Sequence, residues 1–369
     1  MKNFFNVIRL LFRSVVGTIH GVVIIFFILS AFSDRISPET SLFFSYLGLA
    51  FPVFCVLNLC FVFYWIFLWE WRFVLIGLCS FLLCKGAVTR YFPYNEKREV
   101  VSNEHVLKVL TYNVMGFGYK DHSVTNPNPI IEYIANSDAD IVCLQEYIVG
   151  TSKKYLTNKK VFNALKMYRY RSLIPLGSSS IAVFSKYPIS KSRKIKYETV
   201  SNGSSIHELN INGKKLTLVN NHLESFKLTM EDKSNYSAFL KNMNTETLGG
   251  LKSSIEHKLG PAFKVRARQA EAVAEEIKNI ETDYLLVCGD FNDTPISYVY
   301  RTMRGSLKDA FVESGRGPGV SYNENFYFFR IDNILHSDNM IPMNCTVDKV
   351  RYSDHYPVWC YLEMKSPKE

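Results

Sequence analysis

The chain reads as one α/β domain with packed sheets, set behind an amino-terminal membrane anchor. Three observations carry that reading: apolar residues crowd one end, short apolar runs alternate with polar turns over the remainder, and helical stretches fall between some of those runs.

The anchor comes first. Hydrophobic residues make up 47% of the 369, high for a purely soluble chain, and the excess lies in the first ninety residues, which carry only ten charged side chains. Val15–Phe32 and Ser41–Trp69 are uncharged, and Phe73–Val88 holds only Lys85. A bilayer core about 30 Å thick needs roughly 20 apolar residues in a helix, so the sequence predicts about three spans, near 15–32, 43–68 and 71–89. A cleaved signal peptide is the alternative for the first, but the run is long for one and "LSAFSD" offers no small-x-small site. Trp69, Trp71, Tyr91, Phe92 and Tyr94 read as an interfacial aromatic belt. Within these three runs His20 and Lys85 are the only basic side chains, little for an ion path. Lys2, Arg9 and Arg13 favour a cytoplasmic amino terminus, whereas Lys85, Arg90, Lys97 and Arg98 pull the other way. Giving the first helix precedence, we read a multi-pass protein of a bacterial inner membrane with its later part extracytoplasmic.

Residues 1–93 are thus the anchor, 94–104 a linker and 105–369 the α/β domain. Removing the first ninety residues leaves 36 bases and 31 acids, mildly basic and compatible with anionic phosphate substrates, yet too dispersed to mark a nucleic-acid binder. "VLKVLTYNV", "ADIVCLQEY", "SSIAVFSKYPI", "KLTLVNNHLE", "DYLLVCGDFN", "RIDNILHS" and "HYPVWCYLEM" read as strands, with "INGKK" as a hairpin turn. "NPIIEYIANSDA" and "RARQAEAVAEEIKNIETD" read as helices. The stretch 225–265 is too long for an ordinary connection and could be a lid or a membrane-facing cap. No Cys/His spacing suggests zinc; Cys143 and Cys288 read as buried apolar residues, and Cys345 and Cys360 could face each other across a hairpin, allowing a disulfide in an oxidising compartment.

Polar residues cluster at strand ends: Asn113 in "TYNV", Glu146 in "LQEY", His222 in "NNHL", Asp290 and Asn292 in "GDFN", Asp332 in "RIDN", Asp354 and His355 in "YSDH". Singly, each has an innocent explanation as a turn, a solvated acid or a satisfied core histidine. Brought to one edge of a layered fold, they form an inventory for holding a divalent cation and moving protons.

In this order, "YNV", "QE", "NxHL", "GDFN", "RIDxI" and "SDHYPV" resemble the endonuclease/exonuclease/phosphatase superfamily over roughly residues 105–363. The resemblance implies a four-layer α/β sandwich and a magnesium-dependent phosphoesterase, with manganese as an alternative ion. It implies Glu146 as the main metal ligand, with Asn113, Asp290 and Asp354 as further metal-site residues. Asp290 would orient or deprotonate water, Asn292 would hold that water or a phosphate oxygen, and Asp332 would fix the tautomer of His355, which acts on the phosphate. His222 would donate to a non-bridging oxygen, so Asn113, His222 and Asn292 bind substrate. Met115 stands where apurinic endonucleases carry a polar residue, and they have tyrosine in place of the "NxH" histidine, which argues against abasic-site cleavage.

The function expected is a membrane-anchored phosphoesterase hydrolysing a lipid headgroup or small phosphodiester. The alternatives are an anchored nuclease acting on DNA or RNA, and an inactive membrane scaffold. The partners expected are the bilayer and the phosphoester substrate, with no obligate protein partner evident.

Overall fold

The computed structural model describes residues 2–100, 104–150, 155–199, 202–226, 258–324 and 327–365. Five helices come first: α1 (Lys2–Ala31), α2 (Leu42–Leu49), α3 (Phe51–Phe67), α4 (Trp71–Leu83) and α5 (Lys85–Tyr91). Phe27 stacks on Phe51 at one end, while Trp65 donates to His20 Nδ1 at 3.0 Å further down, so α1 and α3 run antiparallel. α4 returns alongside them, with Phe73 stacked on Trp65 and Phe81 against Phe27. His20 Nε2 meets Asn58 Oδ1 at 3.0 Å, and Asn58 donates to Ser80 at 2.8 Å, so the polar groups inside this apolar bundle satisfy one another. Arg13 and Glu70 pair at the end remote from the rest of the chain.

The expectation of about three membrane spans is corrected here. Among the described residues, only Arg9–Arg35 is a single helix long and apolar enough to cross a bilayer. The second and third expected spans are broken pairs, α2 with α3 bent by 57° and α4 with α5 by 69°. Pro52, in the first turn of α3, cannot donate back to a preceding turn, so α2 ends at Leu49.

Two mixed sheets follow. The first has strand order β13 (Met340–Val347), β14 (Val358–Met364), β1 (Val106–Asn113), β2 (Ile141–Tyr147), β4 (Ser180–Ser185), β3 (Tyr170–Pro175). The second runs β5 (Ile189–Lys194), β6 (Gly203–Ile211), β7 (Lys214–His222), β8 (Tyr284–Asp290), β12 (Asp332–His336), β9 (Lys308–Asp309). A small hairpin, β10 (Tyr322–Glu324) with β11 (Tyr327–Phe329), stands apart. Alternate side chains of both sheets meet between them: Val109, Cys143 and Val183 pack with Leu218, Leu286 and Ile334. Outside the first sheet lie α6 (Pro129–Asn136) and α7 (Asn158–Ala164); outside the second lie α8 (Gly260–Lys278) and α9 (Tyr298–Arg304). Helices, sheet, sheet, helices: the layers are those expected. A short helix, α10 (Ala310–Ser314), packs at the end of the sandwich.

The expected strands and both expected helices form, and "INGKK" makes the turn between β6 and β7, with Asn212 and Gly213 at positive φ. Cys143, Cys288, Cys345 and Cys360 are all buried free thiols, so no bridge joins Cys345 to Cys360. Of the expected lid at 225–265, residues 227–257 lie outside those described. Within the expected linker, Asn95 donates to the carbonyls of Val312 and Gly315, and the Arg98 backbone exchanges two hydrogen bonds with the Asn344 side chain, which fastens this stretch along the domain.

Candidate active site

The site forms where strand ends of the two sheets face each other. In the second sheet, register alone places three of its groups: His222 is the cross-strand partner of Asp290, and Asp290 is the partner of Asp332. Cross-strand partners project from the same face of a sheet, so one imidazole and two carboxylates stand in a row. Strand β8 can come this close to β7 because its penultimate residue is Gly289, at φ +120°; a Cβ there would lie 2.1 Å from the Asn221 carbonyl oxygen. The glycine of "GDFN" is therefore what brings Asp290 beside His222.

The first sheet contributes Asn113 and Glu146. The pairing of β2 with β4 shifts between Leu144 and Tyr147, and Glu146 sits in that bulge at φ +50°, an uncommon conformation for a residue with a Cβ. The bulge leaves its carboxylate half-exposed at the strand mouth. Asn113 joins the sheets, donating from Nδ2 to Glu146 Oε1 at 3.1 Å and to Asp290 Oδ2 at 3.2 Å, while its Oδ1 accepts from the Met115 backbone. It thus turns a donor to the two carboxylates and its oxygen away from them. Met115 is half-buried beside it.

His355 arrives from the loop before β14. Its Nδ1 lies 2.8 Å from Asp332 Oδ2 and its Nε2 3.6 Å from Asp290 Oδ2, with all three side chains nearly inaccessible. Burial lowers the imidazole's pKa, but the carboxylates of Asp332 and Asp290 outweigh it and hold His355 well above the usual range, favouring its charged form. Burial likewise lifts Asp290 above the ordinary carboxylate range; His355 and His222 pull it down while Asp332 pushes it up. His222 Nε2 is 3.6 Å from Glu146 Oε1 and 3.8 Å from Asp290 Oδ2, and receives the Asn202 amide at 3.3 Å. Asn292 donates its backbone N–H to Asp290 Oδ1 at 2.8 Å and its amide to the Leu223 carbonyl at 2.9 Å. Asp354 stands next to His355, where its carboxylate accepts the Ser353 hydroxyl at 3.2 Å.

All eight sequence-flagged residues thus lie at this one edge, with Asp354 at its margin. Three others escaped the sequence. Tyr322 sets its ring edge against His355 with centroids 5.0 Å apart. Asn202, just before β6, holds His222 and the Leu223 carbonyl, and the sequence around it carries no signal of that role. Arg266, fully buried on α8, donates to the Glu224 carbonyl at 2.6 Å and pairs with Asp293 at 3.3 Å, so it backs both loops that leave the site strands. A buried cation in an otherwise amphipathic helix could have been read from "RARQ", where Arg266 and Gln269 share one face.

Asp290, Asp332 and His355 present ligand atoms within 4.8 Å of one another. Asp332 Oδ1 is buried with no hydrogen-bond partner, and two adjacent buried carboxylates repel each other; both features suit a bound divalent cation. Glu146 adds a hard oxygen at the open side. The residues present therefore fit such an ion.

A family profile described as the Endonuclease/Exonuclease/phosphatase family matches residues 110–355, a span that includes every flagged residue, and a second, described as a domain of unknown function, matches residues 13–91. Similar solved structures include the human Nocturnin catalytic domain (16% identity, 73% of this chain and 98% of that one, TM-score 0.49). Another is sphingomyelinase C from Streptomyces griseocarneus (18% identity, 69% and 99%, TM-score 0.44). A third is an endonuclease/exonuclease/phosphatase from Beutenbergia cavernae (14% identity, 71% and 72%, TM-score 0.48). A search of curated proteins returns no match. Members of the matched family are typically dependent on a divalent metal. The profile covers two thirds of the chain and runs from β1 to His355, so the chain belongs to the endonuclease/exonuclease/phosphatase family and is a hydrolase acting on phosphoester bonds.

Proposed function

We propose that this chain is a membrane-anchored, divalent-metal-dependent phosphoesterase that hydrolyses a lipid headgroup or a small phosphodiester by in-line attack of water. The observation that carries the reading is the meeting of Asn113 and Glu146 from one sheet with His222, Asp290 and Asp332 from the other, closed by His355. Glu146 and Asp290, whose carboxylates share the Asn113 amide, would hold magnesium or manganese, with Asp354 at the margin as a further oxygen donor. When bound, the ion supplies charge neutralisation at the phosphate.

The remaining chemistry belongs to side chains. Asp290, raised by burial, is poised to orient and deprotonate the attacking water. His355, kept cationic by its carboxylate neighbours, donates to the phosphate from the other side, and Asp332 fixes its Nδ1 proton so that Nε2 faces the reacting group. His222, whose Nε2 here accepts the Asn202 amide, would donate to a non-bridging oxygen once protonated at that nitrogen, and Asn292 steadies the water or a phosphate oxygen. Catalysis is then mostly positioning and electrostatics.

The anchor reading is supported by the membrane-length helix α1 and by Ile296, six residues after Asp290, which is fully buried among Phe27, Phe51 and Tyr91 of the amino-terminal helices. The catalytic edge lies close to the bundle's end, opposite Arg9 and Arg13, which supports the reading of an extracytoplasmic domain on a bacterial inner-membrane protein. The test is hydrolysis by the purified full chain with magnesium, comparing sphingomyelin and phospholipid vesicles with plasmid DNA, and using Glu146→Ala and His355→Ala as controls. Headgroup release lost in both variants supports the lipid reading. DNA nicking lost in both would replace it with the nuclease.

A further inference from the structure

The loop that leaves the site, residues 291–297, is held from both sides. On the catalytic side Asn292 is tied to Asp290 and Leu223, and Asp293 to Arg266. On the other side the contacts come from the amino-terminal helices. Ser33, just past α1, donates its hydroxyl to the Ser30 carbonyl at 2.8 Å and sets that hydroxyl oxygen 3.4 Å from the Ile296 carbonyl oxygen. Arg90, at the end of α5, donates to the Pro295 carbonyl at 3.2 Å and pairs with Asp34 at 2.7 Å. Asp34 is buried and faces a second cation, Arg301 of α9, at 3.7 Å. Gly48 of α2 lies so close that a Cβ there would come within 2.5 Å of the Ile296 carbonyl oxygen and of Ser33 Oγ. Arg330, itself paired with Asp309 at 2.8 Å, donates to the Arg90 carbonyl and so ties the end of α5 to the strand that carries Asp332.

A tether needs none of this. An anchor that only kept the domain near a surface would meet it through a solvated linker and a polar, mobile contact. Here a buried carboxylate is shared by one arginine from each side, and an isoleucine from the catalytic loop fills the top of the helical bundle. A loop so placed moves when the bundle moves. Because Asn292 takes its position from that loop and supports Asp290 through its backbone N–H, a displacement there reaches the reacting carboxylate.

We propose that Asp34 is a positioning residue for phosphoester hydrolysis: with Arg90, Ser33 and the close approach of Gly48, it sets the 291–297 loop, so that the amino-terminal helices complete the active site. This rests on the assignment of Asp290 and Asn292 to the reaction.

The experiment uses the full chain in detergent micelles with magnesium and compares wild type with Asp34→Asn, Gly48→Ala and, at the remote end of the bundle, Glu70→Gln. Asp34→Asn keeps the side-chain shape and removes the charge; Gly48→Ala leaves the charges and presses on the loop. Both are expected to lower kcat about tenfold with KM within twofold, corresponding to a misplacement of reacting groups. Glu70→Gln is expected to match wild type. Amide hydrogen exchange over residues 290–297 should quicken about tenfold in the first two variants and in neither the third nor the wild type. Equal kcat and equal exchange in all four would overturn the proposal, as would equal losses of kcat in all three variants, which would mark general bundle damage. A wild type without turnover would refute the reaction assigned above instead, and the exchange pattern would still decide whether Asp34 sets the loop.

Discussion

Replacing Asp332 by asparagine leaves the size of the side chain and removes one charge from the pair that holds His355. The contact is 2.8 Å long, with relative side-chain exposures of 5% for His355 and 0% for Asp332. Breaking one partner of a pair this deeply buried costs about 3–5 kcal/mol. Taking about 3 kcal/mol as the part lost from the transition state, at about 1.4 kcal/mol per decade, kcat should fall about 100-fold. A second consequence has a sign. Among the groups that raise the His355 pKa, Asp332 is the largest influence, so its neutralisation moves that pKa down. A reaction that needs the cationic imidazole should then lose activity at a lower pH than wild type does. The assay is a pH–rate profile on a soluble chromogenic phosphodiester such as bis(p-nitrophenyl) phosphate, with the variant's fold confirmed by its melting temperature. A kcat within threefold of wild type, or an alkaline limb that stays in place, would refute the role given to this pair.

Three further outcomes are expected. Glu146→Gln removes the exposed hard anion of the site and should weaken manganese binding about 10- to 100-fold in calorimetric titration; unchanged affinity would exclude Glu146 from the metal site. Arg266→Met strands the buried Asp293 carboxylate and should cost about 3 kcal/mol in denaturant unfolding, with Asp293→Asn restoring much of it in the double variant; additive losses would show that the two act independently. His207 is buried between Ser192 and Ser205, and burial depresses it from 6.5 to about 4. Since the unfolded chain binds the proton first, stability is intact above pH 6.5 and falls by about 3 kcal/mol as pH drops towards 4. His207→Gln should flatten that dependence, and an identical slope in both proteins would count against it.

Strands whose apolar residues run unbroken, such as "YLLVC" in β8 and "IVCL" in β2, were legible because burial on both faces leaves few other readings. β3 was not: it is an edge strand with exposed Tyr170 and Arg171, so its pattern is diluted. β6 is buried yet reads as polar, since Ser204, Ser205 and His207 find hydrogen-bond partners inside. β13 is interrupted by Pro342 and by a bulge near Asn344. In the site, residue types and order were legible, because "GDFN" and "SDH" are short and local. Orientation was not. That Asn113 offers its nitrogen rather than its oxygen to the carboxylates depends on the Met115 backbone, and the contacts of Ser33 and Asp34 join residues more than 250 positions apart. The bends within the second and third expected spans were not legible, because composition measures how apolar a stretch is and cannot show where its helix bends.

The burial of Ile296 in the helical bundle and the fastening of residues 94–98 along the domain carry a kinetic consequence. An enzyme on a flexible leash samples a hemisphere and meets whatever diffuses through it. Inserted in a bilayer, a domain seated in this way has no leash, and its catalytic edge travels at one height over the surface. Encounter then becomes a two-dimensional search. If the substrate is the lipid headgroup proposed above, its rate should scale with the mole fraction of that lipid in the membrane, and dilution of vesicles at constant composition should leave turnover unchanged.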